Sequence, residues 1–285
     1  GLSGGTGTLA FMIGVGRYRG GSFITEQFFL RGPAEEAALL AALESFCADM
    51  AAVVTYNGKS FDIPILNTRY VLQGFTSPFE ELPHLDLLHL TRRIWKARLE
   101  QCNLGNIENR IFGLSRDSDE IPGYLIPEYY TRYLREGDAE PLKGIFAHNA
   151  QDVVSLAALF ALFTDILSEP TAWENECSQD LTSLGRLVEQ LGDADTALSL
   201  YEKGRSLGTA PEPRVESLLA QARLLKRQLR HPEAAELWSQ AAEAGSLEAL
   251  EELAKYHEHR RGRAKDALAC VDRAVELLSG TPRDT

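Results

Sequence analysis

The sequence has few cysteines, no long uninterrupted apolar run and no excess of basic residues. Its four cysteines are widely scattered without a C-x-x-C pair, which argues against a zinc ribbon or a disulfide framework and favours a reducing, cytoplasmic setting; they are Cys47, Cys102, Cys177 and Cys270. No apolar stretch approaches the ~20 residues of a membrane span, so we expect no membrane partner. The formal net charge of -12 argues against a protein that coats nucleic acid through lysine and arginine.

A change of pattern near residue 170 predicts two domains. The chain has 285 residues, enough for two hydrophobic cores. Up to about residue 168, short apolar runs alternate with helical patterns, which predicts an α/β domain over 1–168. From about residue 172 no strand pattern remains, and alanine and leucine dominate. We therefore predict an all-α domain over 172–285.

The first domain divides into strands and helices by its periodicity. Glycine-bounded and β-branched runs indicate strands, and apolar residues at helical spacing indicate helices. The predicted strands are 9–16, 22–30 (after a turn at 17–21), 51–56 and 84–88, and the predicted helices are 33–50, 62–73, one through 92–98, and 149–167.

An internal repeat marks the second domain. A small residue, a large residue four positions further on and another small residue three positions after that recur in register, as Ala197-x3-Tyr201-x2-Gly204, Ala234-x3-Trp238-x2-Ala241 and Ala267-x3-Val271-x2-Ala274. This is the pattern of the second helix in a tetratricopeptide-type hairpin, where small residues allow close helix approach. It predicts three helix pairs that form a surface for a protein partner. A generic helical bundle is the alternative.

Two acidic residues stand at predicted junctions before helices. Asp62 follows an apolar strand and begins a predicted helix, and Asp152 lies near the start of another. Cleavage of a phosphodiester by two divalent ions requires several carboxylates that converge on one place. His148, one helical turn before Asp152, has a side chain suited to deprotonating water. The alternatives are structural: a helix cap for Asp62, a helix-dipole partner for Asp152, and a capping or merely exposed side chain for His148.

These residues carry a family resemblance. Asn57-x3-Phe61-Asp62 resembles the second exonuclease motif of the DEDD superfamily, in the form found in B-family DNA polymerase proofreading domains, and His148-x3-Asp152 resembles the third. The wider run resembles a bacterial ribonuclease-H-like, predicted 3′–5′ exonuclease family that often carries a tetratricopeptide tail. The resemblance implies a mixed sheet flanked by helices, two Mg²⁺ or Mn²⁺ ions, and DNA or RNA ends as substrate.

The resemblance also implies roles for individual residues. Asp62 and Asp152 would be metal ligands and His148 the general base, although its spacing of four from Asp152 is that of the family's tyrosine type. Substrate contacts would come from Asn57 and Phe61. Further candidate substrate contacts are Asp86, for which a structural role at a strand end is the alternative, and Arg92 and Arg93, in a basic cluster that could equally be a solvated helix face.

The first motif of that superfamily, an Asp-x-Glu on a strand, does not occur before Asp62. The run 1–8 resembles the segment that follows this motif, so we expect the chain to begin just downstream of it, to lack the central strand and to be nearly inactive by itself. The rival hypothesis is a degenerate nuclease fold that acts as an interaction scaffold through its helical repeats. A weaker third one is a nucleotide-binding domain, suggested by the glycines at 4–7.

Overall fold

A computed structural model describes residues 7–115, 121–175, 177–208 and 210–280. The chain divides into two compact units: the first contains the chain up to Thr91 and Gln101–Thr164, and the second contains Arg92–Glu100 and the chain from Asp165 onward. The chain passes from the first unit to the second between Thr164 and Asp165, and the predicted domains are 1–168 and 172–285. The segment Arg92–Glu100, however, belongs to the helical unit, whereas the sequence pattern assigned it to the α/β domain. The glycine-rich run at 4–7 falls almost entirely outside the described residues.

The first unit begins with a β-hairpin. Strands β1 (Met12–Arg19) and β2 (Ser22–Phe29) pair antiparallel, with Tyr18 opposite Phe23 and Arg19 opposite Ser22. The predicted turn at 17–21 is shorter in the structure, because only Gly20 and Gly21 leave the ladder. Both have positive φ, 58° and 82°, as a tight two-residue hairpin turn requires.

A second ladder is parallel. Strands β3 (Val53–Thr55) and β4 (His84–Asp86) pair with Thr55 opposite Asp86. We expected one mixed sheet, but within the described residues the four strands form two separate two-stranded sheets. No described strand forms hydrogen bonds with a strand of the other pair, so the two pairs are not joined into one sheet.

Two helices pack in the core of this unit. Helix α1 (Glu36–Cys47) follows a 3-10 turn at Pro33–Glu35, and α2 spans Asp62–Leu72. An ion pair joins them, because Arg69 donates two hydrogen bonds of 2.5 Å to the buried carboxylate of Glu36. The pair fixes α2, and with it the residue at its first position, relative to α1.

The remaining helices of the first unit follow β4. They are α3 (Leu87–Trp95), which ends in the second unit, α4 (Leu104–Arg110), α5 (Ile126–Glu136) and α6 (Lys143–Ser168). Helix α6 begins six residues before its predicted start, since a 3-10 turn at Glu140–Leu142 leads directly into it and Leu142 and Ile145 are buried.

The expectation of no apolar run of membrane-spanning length needs correction at α6. The stretch Glu140–Ser168 is long and apolar enough to cross a membrane by length and composition. Its most apolar 18-residue segment has a mean hydropathy of 1.6, and 22% of that segment is buried. The core helix of a soluble protein passes the same test, so a single such helix is weak evidence.

The second unit is mostly helical. Successive helices pack on one another and are connected by turns of three or four residues. They are α7 (Ser178–Gln190), α8 (Ala194–Leu207), α9 (Pro211–Arg227), α10 (His231–Glu243), α11 (Leu247–His259) and α12 (Ala264–Ser279). In the first two repeats the large residues Tyr201 and Trp238 are buried, as the pattern predicts. In the third, Val271 is 48% exposed, because α12 is the last described helix.

The segment Arg92–Glu100 is held in this unit by a buried ion pair. Arg98 donates two hydrogen bonds, of 3.0 and 2.7 Å, to Asp180 of α7, whose side chain is fully buried. Ile94 and Trp95 are also fully buried. The basic cluster is therefore partly an internal feature of the helical unit.

Candidate active site

The carboxyl ends of β3 and β4 lie side by side, and the loop after β3 leads into α2. Asp62 is the first residue of that helix. Burial is the main cause that raises the pKa of its carboxyl group, and the negative charge of Asp86 raises it further. The residue still exposes much of its surface to solvent. Its carboxylate is therefore accessible to a ligand and close to a second acidic group.

Asp86, at the end of β4, is enclosed by backbone amides. Its Oδ1 accepts hydrogen bonds from the amides of Asn57 (2.7 Å) and Leu88 (3.1 Å), and its Oδ2 accepts one from Lys59 (3.1 Å). The residue is only 4% exposed. These amides compensate a buried charge, which would otherwise be costly.

The loop at residues 56–61 has a constrained shape. Asn57 adopts a left-handed conformation, with φ of 65°, and a β-carbon at Gly58 would lie 2.5 Å from the β-carbon of Thr55. The Tyr56 hydroxyl donates to the carbonyl of Cys102 at 2.5 Å. Beside Asp62, the ring of Phe61 is 59% exposed. The loop thus presents an aromatic surface next to an accessible carboxylate.

A histidine of β4, His84, contacts the last residue of β3. The Thr55 hydroxyl and His84 Nε2 are 2.8 Å apart, in a hydrogen bond whose direction depends on the imidazole tautomer. Burial lowers the pKa of His84, and the positive charge of Lys59 lowers it further, against the opposing effect of Asp86. The positive charge of Lys59 therefore acts on His84, the first residue of β4.

Helix α6 approaches the hairpin closely at two glycines of β1. A β-carbon on Gly14 would lie 2.3 Å from Asn149 Oδ1, and one on Gly16 would lie 2.8 Å from Val153 Cγ1. Gln27 of β2 donates hydrogen bonds to Asn149 Oδ1 at 2.9 Å and to the Phe146 carbonyl at 2.8 Å. These contacts fix the part of α6 that carries His148 and Asp152.

His148 and Asp152 lie on one face of α6, as their spacing predicts. His148 Nε2 is 3.2 Å from Asp152 Oδ2, and each side chain is about one-third exposed. Asp152 is well inside the helix and not near its start, so the alternative of a helix-dipole partner is wrong: α6 begins at Lys143. The Asp152 carboxylate instead contacts the His148 imidazole at the surface of the first unit.

Arg92 and Arg93 belong to the second unit. Both are exposed, and Arg93 donates a 2.7 Å hydrogen bond to Gln190 of α7. The idea that they hold a strand backbone remains a prediction.

The candidate ligands are of the type that a hard divalent cation prefers, but they form only part of a site. Asp62 and Asp152 supply carboxylate oxygens, which Mg²⁺ and Mn²⁺ prefer. Across the described ranges, however, no group of three or more His, Cys, Asp or Glu side chains is arranged to hold a metal ion. The described residues thus supply suitable ligands but not a complete set.

Sequence reasoning missed several positioning residues of this region. Gln27 belongs to no motif, and Lys59 and Asn149 stand at unspecified positions inside the two motifs, so only their contacts reveal them. For Gly14 and Gly16 a signal existed, because glycines at alternate positions of a strand indicate close approach of another element.

The comparisons with known proteins agree with this architecture. A sequence profile of the RNase_H superfamily matches residues 1–164, and the chain belongs to that superfamily, whose members are typically nucleases. Over 283 residues the chain is also 32% identical to the uncharacterized protein YprB of Bacillus subtilis (strain 168). That match covers 96% of this chain and 67% of the relative. The first unit therefore has a nuclease-like fold.

Proposed function

We propose that the protein is a divalent-metal-dependent nuclease that hydrolyses DNA or RNA ends from 3′ to 5′. The observation that carries the proposal is the position of Asp62. In a chain of the RNase_H superfamily, this accessible carboxylate begins α2 at the carboxyl edge of a parallel strand pair. Polarity rests on the resemblance of Asn57-x3-Phe61-Asp62 to the second DEDD exonuclease motif.

Each candidate residue then has a role. Asp62 and Asp152 would hold the metal, which supplies Lewis-acid polarisation of the phosphate and activation of water when bound. His148 would take the proton of the attacking water, with Asp152 3.2 Å away to orient its imidazole. Phe61 offers a ring on which a terminal base can stack, a contact that contributes about 1–3 kcal/mol per base in single-strand binding proteins. Asn57 lies in the loop that connects β3 to α2 and would contact the substrate there.

The helical unit would recruit a protein partner. Its helices α7 to α12 pack in succession, and its repeat places Tyr201 and Trp238 in the core. We assign it to the tetratricopeptide type on this basis. Location in the cytoplasm stays a prediction.

A nuclease assay on the full-length protein tests the proposal. We expect Mn²⁺- or Mg²⁺-dependent shortening of end-labelled oligonucleotides, lost on chelation. Asp62→Asn and Asp152→Asn should each reduce the rate by about 100-fold or more, since each removes a ligand of the ion that stabilises the transition state. Asp165→Asn, an exposed change on the same helix as Asp152, is the matched control. Full activity in both site variants would refute the assignment.

A scaffold without catalysis is the second candidate. The observation that favours it is that the described residues contain no cluster of three metal-capable side chains. A scaffold would show no metal-dependent cleavage, and its partner binding would not change in the Asp62 and Asp152 variants.

A further inference from the structure

The loop at residues 56–61 contains a cation that none of the roles above uses. Lys59 is exposed and lies three positions before Asp62. Within the described ranges its ammonium group forms no ion pair, yet its charge lowers the pKa of His84. The side chain is therefore available to contact a ligand.

The backbone of Lys59 is held in place by Asp86. One carboxylate oxygen accepts the amide of Lys59 at 3.1 Å, and the other accepts that of Asn57 at 2.7 Å. Asp86 can reach both amides because it is opposite Thr55, the last residue of β3, in the parallel register. With two oxygens engaged by three amides, Asp86 shapes the loop.

The positive charge of Lys59 lies in a region that is otherwise negatively charged. The chain has a net charge of -12, and Asp62 and Asp86 are both near the loop, so a polyanionic strand would be repelled. A lysine in this loop, three residues before Asp62, would offset that repulsion locally. Arg92 and Arg93 belong to the other unit, which leaves Lys59 as the cation of this loop.

We propose that Lys59 contacts a phosphate of the single strand whose end reaches Asp62, and that Asp86 is the positioning residue that holds Lys59 there. This inference rests on the proposed nuclease function. It assigns a backbone contact to Lys59 and gives Asp86 an indirect role in place of direct substrate binding.

The salt dependence of binding tests it. Affinity of the full-length protein for a short single-stranded oligonucleotide is measured with Ca²⁺ in place of Mg²⁺, at a series of salt concentrations. Each lost phosphate contact reduces the slope of log K against log salt by about 0.7 for single strands. We expect this reduction in Lys59→Ala, a wild-type slope in Lys59→Arg, and no change in Lys143→Ala, an exposed lysine of the same unit.

The Asp86→Asn variant separates positioning from stability. A variant that merely unfolds in part lowers the binding-competent fraction and leaves the slope unchanged, whereas loss of the Lys59 contact changes the slope. We expect Asp86→Asn to show the reduced slope of Lys59→Ala, and the double variant to show no further reduction. A wild-type slope in Lys59→Ala, or additive slope changes in the double variant, would overturn the inference. Absence of oligonucleotide binding by the wild-type protein would overturn the proposed function as well, and is a distinct result.

Discussion

Gly14 and Asn149 are so close that no side chain fits between them: a β-carbon on Gly14 would lie 2.3 Å from Asn149 Oδ1. The Asn149 side chain is held by Gln27 at 2.9 Å, so it cannot rotate away without loss of that hydrogen bond. The contact ties α6 to β1 one residue from His148. The placement of the second acidic motif therefore depends on a glycine far from it in sequence.

The substitution Gly14→Ala should move α6 away from the hairpin. We expect a loss of about 1–3 kcal/mol in the free energy of unfolding, typical of overpacking, and slower metal-dependent cleavage because His148 and Asp152 shift. Urea unfolding and the nuclease assay measure the two effects. Gly32→Ala is the control, since a β-carbon there meets no atom within 4 Å. Equal behaviour of the two variants would show that α6 is not held at this point.

The Glu36–Arg69 pair should contribute substantially to stability. Their side chains are only 3% and 13% exposed, so Glu36→Ala leaves a largely buried guanidinium without its partner. We expect a loss of about 3 kcal/mol in urea unfolding. Glu35→Ala, which removes an exposed pair with Arg31, should cost less than about 1 kcal/mol. Similar losses in the two variants would contradict the assignment of a buried pair.

The segment Arg92–Glu100 should behave as part of the helical unit. Arg98→Ala leaves the fully buried carboxylate of Asp180 with Asn175, at 3.2 Å, as its one remaining side-chain partner among the described residues. We expect the helical unit to lose about 3 kcal/mol, measured by circular dichroism during unfolding. Arg93→Ala, which loses one exposed hydrogen bond, serves as the control. If Arg98→Ala unfolds like the control, the segment does not anchor in this unit.

Cys47 should be the least reactive of the four thiols. Burial raises its pKa from 9.0 to about 11, whereas Cys102 and Cys177 are half-buried. Below pH 9 the thiol is neutral in both the folded and unfolded states. Between pH 9 and about 11 only the unfolded state releases the proton, so this group's contribution to stability falls as the pH rises. Mass spectrometry after timed alkylation at pH 8 should show Cys47 modified last, and modification as fast as that of Cys102 would disprove its burial.

Local patterns predicted much of the fold. Glycine-bounded and β-branched runs predicted two strands joined by a turn, helical spacing placed His148 and Asp152 on one face, and the small-large-small repeat predicted which residues of α8 and α10 are buried. In each case the signal lies within a few residues of the feature it specifies.

Features that depend on distant partners could not be predicted in this way. Arg98 is assigned to the helical unit by Asp180, 82 residues away in sequence. The environment of Asp86 depends on amides of a loop that precedes it by 27 and 29 residues. Nothing in the residues near Asp86 indicates that backbone amides will enclose its carboxylate.

The central claim is that Asp62 and Asp152 are ligands of one shared metal site. Paramagnetic broadening of backbone amide NMR signals by Mn²⁺, titrated into the isotope-labelled full-length protein, tests it most directly. We predict broadening that begins together at the amides around Asp62 and around Asp152, and that disappears at both places in Asp62→Asn. Broadening confined to one of the two places, or unchanged in Asp62→Asn, would contradict a shared site.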